Sequence, residues 1–245
     1  MLTLYQFPLS HYCEKVRWAL DYKKIPYRSY NLIPGAHLLT TKRLAHKTSV
    51  PILVDGKSVI QDSTRIIDYL EEHYPQNPLN PSDPNLRNEA LELEEYFDKK
   101  IGPHLRRLAY FHILEDRPLV TSLLLQNSSW YGKPFYGLLF PAVKTLMKKS
   151  MNIYKEPTEK SVKVLEEAFE FLNEKIEGKK FLVGKQFTRA DLTAAALLGP
   201  LCTPPEYHFQ WPDPSEMPLE LQKYKLTKEK EPFFGWVLNT YKNYR

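Results

Sequence analysis

The chain has 245 residues, of which 42% are hydrophobic and 26% are charged, and its formal net charge is +5. This composition is typical of a globular protein and excludes a chain that is disordered throughout. No apolar stretch approaches the roughly 20 residues of a membrane-spanning helix, and the basic residues are interleaved with acidic ones instead of forming a stripe. We therefore expect neither a membrane span nor a nucleic-acid partner.

Strands and helices alternate up to residue 73. The order β-α-β-α-β-β-α, with a closing hairpin whose turn is expected at Asp55-Gly56, predicts a thioredoxin-like α/β domain. Residues 35–45 are expected to be irregular or weakly helical. The predicted strands are Leu2–Phe7, Tyr27–Leu32, Pro51–Val54 and Ser58–Gln61, and the predicted helices are His11–Tyr22 and Ser63–Glu72.

Prolines recur at every third position from Pro75 to Pro84 and predict a linker. We assign residues 1–76 to the first domain, 77–86 to the linker and 87–245 to an all-helical domain. In this domain we expect a long helix from residue 86 to 114, disturbed at Gly102-Pro103, then further helix over 119–151, interrupted near Gly132 and at Pro141, and a helix over 158–177.

Thr188 and Asp191 have the spacing of a capping box at the start of an apolar run, Leu192–Leu201. A helix this apolar belongs in a core. Residues 203–245, which we call the strap, are expected to pack on the helical domain and to end in a helix over Pro232–Tyr244.

The junction between the first strand and the first helix is the candidate reactive site. Ser10 lies where the helix begins, with Cys13 three residues later. Helix starts offer unpaired backbone N–H groups and a partial positive charge, and they lower thiol pKa values. A ligand thiol beside Ser10 would therefore be shifted toward its nucleophilic thiolate.

The octapeptide from Ser10 to Arg17, Ser-His-Tyr-Cys-Glu-Lys-Val-Arg, resembles the start of the active-site helix in serine-using branches of the glutathione transferase superfamily. It also resembles the Cys-Pro-Tyr-Cys motif of glutaredoxins, with Ser10 in place of the first cysteine. The capped apolar helix at Thr188 has a counterpart in the second domain of the transferases, so the similarity spans both domains.

This resemblance implies a thioredoxin-like domain followed by an all-α domain, with glutathione as co-substrate. It implies that Ser10 stabilises the glutathione thiolate, which attacks an apolar electrophile in a detoxifying conjugation. It further implies a cytoplasmic homodimer. With only two cysteines, Cys13 and Cys202, we expect reduced thiols and no disulfide framework.

The resemblance also implies residues that hold glutathione. Val50 would contact its backbone, supported by Pro51 after a cis peptide bond, while Asp62 and Ser63 would hold the γ-glutamyl group. His37 and Lys47 are candidates for the glycine carboxylate. No metal site is predicted, because the histidines lack ligand spacing. Aromatic candidates for the second-substrate pocket are Tyr110, Phe111, Trp130, Tyr131, Phe135 and Tyr136.

Other interpretations remain open for these residues. Ser10 and Ser63 are favoured helix caps, which alone could explain their presence. Cys13 could act in thiol–disulfide exchange with glutathione, or it could be a small buried core residue. A third hypothesis is a non-catalytic module that carries ligands or partners on the same fold.

Overall fold

A computed structural model describes residues 1–126 and 132–245, and for residues 132–135 it describes the backbone alone. The first domain contains a four-stranded sheet of order β2-β1-β3-β4, in which β2 is parallel to β1 and both remaining pairs are antiparallel. This is the predicted thioredoxin-like topology. Its elements are β1 (Leu2–Gln6), α1 (His11–Tyr22), β2 (Tyr27–Asn31), α2 (His37–Leu44), β3 (Ile52–Asp55), β4 (Ser58–Gln61) and α3 (Ser63–His73).

Alternating burial along β1 explains why the sheet forms with this register. Leu2 and Leu4 are buried, and Leu4 lies opposite Leu53 of β3. The hairpin turn is displaced by one residue from the prediction, because Asp55 still pairs with Ser58 and the turn consists of Gly56 and Lys57. Gly56 has a φ of +57°, a conformation that glycine adopts without steric cost.

The second domain is helical and is built around a buried central helix, α9. Its capping box forms as predicted, with Thr188 and Asp191 bonded reciprocally, and the run from Leu192 to Leu198 is buried. The helices are α4 (Pro84–Lys100), α5 (Gly102–Ile113), α6 (Arg117–Leu124), α7 (Gly132–Ser150), α8 (Lys155–Ile176), α9 (Arg189–Cys202), α10 (Leu219–Lys228) and α11 (Pro232–Tyr244), with a short 3₁₀ turn at Pro214–Glu216.

Some helix boundaries differ from the sequence prediction. Residues 37–44 form the regular helix α2, where an irregular or weakly helical segment was expected. Helix α4 begins at Pro84, because Asp83 caps it by accepting hydrogen bonds from Asn85 N and Leu86 N. The expected interruption at Pro141 is wrong, since α7 starts at Gly132 and continues through this proline.

The two domains meet where α1 packs against α9 and the junction of α4 and α5. The Tyr12 hydroxyl donates to the carbonyl oxygen of Asp98 at 2.7 Å. Its ring lies so close to Gly102 that a Cβ at this position would overlap the hydroxyl. The predicted disturbance at Gly102-Pro103 is therefore a break between two helices into which Tyr12 fits.

The strap packs more widely than expected. Its helix α11 lies against α8 and α9 of the helical domain, as predicted. It also reaches the first domain, because Trp18 Nε1 of α1 donates to the carbonyl oxygen of Tyr244 at 2.7 Å. The strap therefore contacts both domains.

Candidate functional site

The start of α1, the start of β3 and the start of α3 lie at one end of the sheet. Ile52, the first residue of β3, pairs with both Tyr5 near the end of β1 and Gln61 at the end of β4. Asp62 N donates to the carbonyl oxygen of Pro51 at 3.4 Å. The topology thus gathers the candidates Ser10, Pro51 and Asp62 from three distant positions in the sequence.

Ser10 is the N-cap of α1, as its position in the sequence predicts. Its backbone is extended, and its Oγ accepts a long hydrogen bond of 3.4 Å from Cys13 N. The side chain is half-buried. A hydroxyl in this position lies beside the positive end of the helix, where an anionic sulfur is favoured.

Cys13 is completely buried in the core of the first domain. Burial raises the pKa of its thiol, and the opposing effects of the Arg17 charge and the Ser10 hydrogen bond do not reverse the shift. Burial thus opposes the lowering of the pKa that a helix start can produce. A protonated, enclosed thiol is a poor nucleophile.

The peptide bond between Val50 and Pro51 is cis, the form implied by the family resemblance. Val50 is half-buried and Pro51 is buried at the start of β3. The Gln61 side chain fixes the preceding loop: its Nε2 donates to the carbonyl oxygens of Lys47 and Ser49 at 2.9 and 2.7 Å. The backbone at Val50 thus follows a loop that Gln61 holds in place, at the same end of the sheet as the start of α1.

Asp62, and not Ser63, caps α3. Its Oδ1 accepts from Thr64 N at 3.1 Å and Arg65 N at 3.3 Å, and its φ is +98°. The expectation that Ser63 is the cap is wrong, because Ser63 already lies in the first helical turn, where it is buried. Asp62 is exposed and keeps lone pairs for a ligand cation.

His37 and Lys47 lie in different environments. His37 Nδ1 accepts a hydrogen bond from Gly35 N at 3.0 Å, and the ring packs edge-on against Phe7. Burial lowers its pKa, so it is a neutral group and a poor partner for a carboxylate. Lys47 is exposed, and its backbone is fixed by Gln61.

His11 and Arg106 are polar residues of the interdomain face that the sequence did not single out. Burial, and secondly the positive charge of Arg106, lowers the pKa of His11 to about 3. His11 Nε2 and Arg106 Nε are both buried and lack a hydrogen-bond partner among the described residues. No short motif marks such a pair, because it arises only when α1 and α5 meet.

The aromatic candidates are only partly within the described side chains. Tyr110 and Phe111 of α5 are half-buried, and Tyr136 of α7 is buried with an unbonded hydroxyl within the part of the chain that the structure describes. Trp130 and Tyr131 lie outside the described residues, as does the side chain of Phe135.

A buried ionic cluster lies behind the site and joins α1 to α4 and α9. Lys15 Nζ lies 2.6 Å from both Glu94 Oε1 and Asp98 Oδ2, and Arg189 pairs with Glu94. Thr64 connects the cluster to α3 by donating to Asp98 at 3.0 Å. Burial of such charges requires close pairing. The cluster therefore fixes the start of α3 relative to α1.

Two family models match the chain, and both describe the same kind of protein. The model for the glutathione S-transferase N-terminal domain matches residues 4–78, and the model for the C-terminal domain of the same family matches residues 135–210. Together they cover more than half of the sequence. The chain belongs to the glutathione S-transferase family.

Curated relatives match over part of their length. Glutathione S-transferase 1 of Dianthus caryophyllus is 37% identical over 119 residues, which are 47% of this chain and 53% of the relative. The zeta class glutathione S-transferase of Euphorbia esula is 32% identical over 119 residues, with 47% of this chain and 52% of the relative covered. The chain thus spans about half the length of these relatives.

Solved structures share the fold over nearly the whole chain. A glutathione S-transferase from Xanthobacter autotrophicus matches with a TM-score of 0.65 and 14% identity, covering 98% of this chain and 92% of that one. A glutathione S-transferase from Methylobacterium radiotolerans, in complex with glutathione sulfonate, matches with a TM-score of 0.59 and 18% identity, covering 97% and 94%.

Two further features are absent from the described part of the chain. Within residues 1–126 and 132–245 no helix is both long and apolar enough to cross a membrane. Over the same ranges the structure contains no cluster of three or more His, Cys, Asp and Glu side chains that could hold a metal ion.

Proposed function

We propose that this protein is a glutathione transferase in which Ser10 hydrogen-bonds the sulfur of glutathione and stabilises the thiolate. The observation that carries the proposal is the placement of a half-buried Ser10 hydroxyl, with one long hydrogen bond, at the start of α1. The helix dipole and the hydroxyl both favour a negatively charged sulfur at this point.

The remaining contacts of glutathione follow from the same end of the sheet. The backbone of Val50 pairs with the cysteinyl residue, and the N-terminal turn of α3, including Ser63, accepts the γ-glutamyl carboxylate. Asp62 takes the ammonium group with the lone pairs that the cap leaves free. Lys47 is the preferred cation for the glycine carboxylate, because the neutral His37 ring is already engaged.

The reaction is a nucleophilic substitution or addition at carbon. The thiol proton leaves to water, and Ser10 donates its hydrogen bond to the sulfur anion that remains. The thiolate electron pair then forms a C–S bond to the electrophile, and in a substitution the leaving group departs with its bonding electrons. Ser10 keeps its own proton throughout.

We infer that the second substrate lies in a cleft between the domains, beside Tyr110 of α5 and Tyr136 of α7, whose rings favour an apolar electrophile. A role in detoxification, a homodimer and a cytoplasmic location belong to the same proposal. It is supported by the names of the relatives and by neighbours of this fold that hold glutathione derivatives: one with glutathione sulfonate and one, from Pseudomonas putida, with glutathione disulfide.

The test compares Ser10→Ala with Cys13→Ala in a conjugation assay with a chlorodinitrobenzene. A hydrogen bond to a charged group contributes about 1.5–3 kcal/mol, so Ser10→Ala should lower kcat/KM by roughly 10- to 100-fold. Cys13→Ala should leave it within about threefold, since that thiol is enclosed in the core. The variants are first compared by circular dichroism to confirm that they fold.

The opposite pattern would support glutathione-dependent thiol–disulfide exchange instead. In that case Cys13→Ser abolishes activity and Ser10→Ala retains most of it. Tight binding of glutathione or apolar ligands, with no turnover across a broad panel of electrophiles, would contradict both reactions and support a non-catalytic role.

A further inference from the structure

Arg245 of the strap forms two ion pairs with α1. Its Nε lies 2.7 Å from Glu14 Oε1, and its Nη1 lies 2.6 Å from Asp21 Oδ2. The Glu14 side chain has no exposed surface, and that of Arg245 is 3% exposed. A pair this buried is held at close range, because either charge alone would be costly to bury.

Glu14 passes this connection to Arg17, which is also buried. Glu14 Oε2 lies 2.8 Å from Arg17 Nε and 2.7 Å from its Nη2. Arg17 Nη2 in turn donates to the carbonyl oxygen of Pro8 at 3.0 Å, and its Nη1 donates to Gln6 Oε1 at 2.6 Å. An unbroken series of charge-assisted hydrogen bonds therefore runs from the strap to the peptide unit two residues before Ser10.

A second contact from the strap reaches the next peptide unit. The Tyr207 hydroxyl donates to the carbonyl oxygen of Leu9 at 3.3 Å. The Tyr207 ring also lies beside Arg17, with the guanidinium carbon 6.0 Å from its centre. The carbonyl groups of both residues preceding Ser10 are thus held, one by Arg17 and one by Tyr207.

We propose that Arg245 is a positioning residue for the Ser10 hydroxyl and acts on it through Glu14 and Arg17. The inference rests on the proposed function, because it concerns the same serine. Without Arg245, Glu14 has Arg17 as its remaining cation in the described network, and Arg17 is drawn toward it and away from Pro8. The loop from residue 7 to 10 then loses the hydrogen bond from Arg17, although it keeps those from the Tyr207 hydroxyl to Leu9 and from Ser10 N to Phe7. Ser10 Oγ leaves the direction in which it meets the sulfur.

Arg245 is 231 residues from Glu14 in sequence. The alternative is a purely structural role, in which the ion pairs of the strap stabilise the fold without affecting Ser10. The two roles predict different effects of replacing Arg245 on the kinetic constants and on the fraction of folded enzyme. A positioning role lowers kcat and spares the KM for glutathione, whose other contacts lie on β3 and α3. Under a purely structural role, loss of Arg245 lowers the fraction of folded enzyme and leaves kcat and KM of the folded molecules unchanged.

The decisive experiment is a double-mutant cycle with Ser10→Ala, Arg245→Met and the doubly substituted protein. Arg245→Met alone should lower kcat about tenfold, with the KM for glutathione within about twofold, since misplacing a reacting group is costly even by a fraction of an ångström. In the Ser10→Ala background the same substitution should change kcat by less than about twofold, because residues acting through one another are not additive.

Two further variants act as controls. Lys228→Met removes another ion pair of the strap, in which the nearly buried Lys228 side chain pairs with the partly exposed Glu166 of α8 instead of with α1. It should leave kcat unchanged. Arg245→Lys retains the charge and should recover part of the lost kcat. If Arg245→Met does not fold, Arg245→Lys, which keeps the charge but cannot pair with Glu14 and Asp21 through a guanidinium, replaces it in the cycle with the same expected pattern at a smaller loss of kcat.

The positioning role would be overturned if the kcat loss in the double mutant equalled the product of the two single losses. It would also be overturned if Lys228→Met lowered kcat as much as Arg245→Met does. Neither result would affect the function proposed for Ser10. If Ser10→Ala alone keeps full activity, the proposed function fails first, and the role of Arg245 fails with it. If Arg245→Met keeps its kcat while Ser10→Ala does not, the inference about the strap alone is rejected.

Discussion

The helix starts of α1 and α9 have hydroxyl caps of similar chemistry but are used differently. Thr188 is buried and engaged on every side: its Oγ1 donates to Asp191 at 2.8 Å and accepts from Ala190 N at 3.3 Å. Ser10 is half-buried, accepts one long bond from Cys13 N and donates to no carboxylate in the part of the chain that the structure describes. A fully bonded cap stabilises the fold, whereas a cap with unused capacity can bind a ligand.

The largest expected loss of stability comes from removing the Asp191 carboxylate, which accepts hydrogen bonds at the start of α9. Asp191→Ala should lower the free energy of unfolding by about 3 kcal/mol, because it leaves the buried N–H groups of Leu182 and Thr188 unbonded. Denaturation by urea measures the change. Asp213→Ala, in an exposed capping box of the strap, is the matched control and should cost under about 1 kcal/mol. Equal losses of unfolding free energy in Asp191→Ala and Asp213→Ala would contradict the importance of the α9 start for stability.

Removal of the α9 cap hydroxyl should have the next largest effect. Thr188→Ala deletes both hydrogen bonds of Oγ1 in a buried site, so we expect a loss of about 2 kcal/mol, the upper end for a cap. Thr188→Ser keeps the hydroxyl and should recover most of it. Thermal unfolding of the three proteins provides the measurement, and a neutral Thr188→Ala would show that Asp191 alone maintains the helix start.

His11, the first residue of α1, predicts a dependence of stability on pH. His11 keeps a native pKa of about 3, so below pH 6.5 the unfolded chain binds a proton that the native protein does not. Stability should fall as the pH is lowered from 6.5 toward 3, by up to about 1.4 kcal/mol per pH unit, and should be unaffected by His11 above 6.5.

His11→Asn isolates this contribution, because carboxylates elsewhere change stability over the same pH range in both proteins. The slope of unfolding free energy against pH should be smaller in the variant. An identical slope would show that His11 is protonated in the native state, despite its burial and the charge of Arg106.

The smallest expected change concerns the stability of the Ser10 variant. Because the bond from Cys13 N is long, Ser10→Ala should cost only about 0.5 kcal/mol of unfolding free energy, at the low end for a cap. Urea denaturation alongside Thr188→Ala tests this. A loss as large as that of Thr188→Ala would remove the distinction between the two caps and would leave Ser10 as an ordinary structural residue.

Local patterns predicted much of this molecule. The α1, β4 and α11 boundaries and the capping box at Thr188 follow from periodicity and turn chemistry over a few residues. The cap of α3 did not follow, because serine and aspartate are both good caps and the positive φ of Asp62 is set by the turn out of β4. The helix α2 was predicted only as an irregular or weakly helical segment, since its residues are weakly amphipathic.

Contacts between residues far apart in the chain could not be predicted from the sequence, for a different reason. The ion pairs of Arg245 with α1 and the proximity of Arg106 to His11 join residues that no spacing rule connects. Such effects are decided by packing between domains and not by neighbours in the chain.

The fit of Tyr12 against Gly102 has a consequence for how the cleft changes shape. The Tyr12 ring lies in the break between α4 and α5, and its hydroxyl donates to the carbonyl oxygen of Asp98. This contact restricts movement of the two domains relative to each other. Opening by a hinge would have to withdraw the Tyr12 ring. Adjustment to differently sized electrophiles should therefore come from rotation of individual side chains in the cleft, with the two halves moving as one.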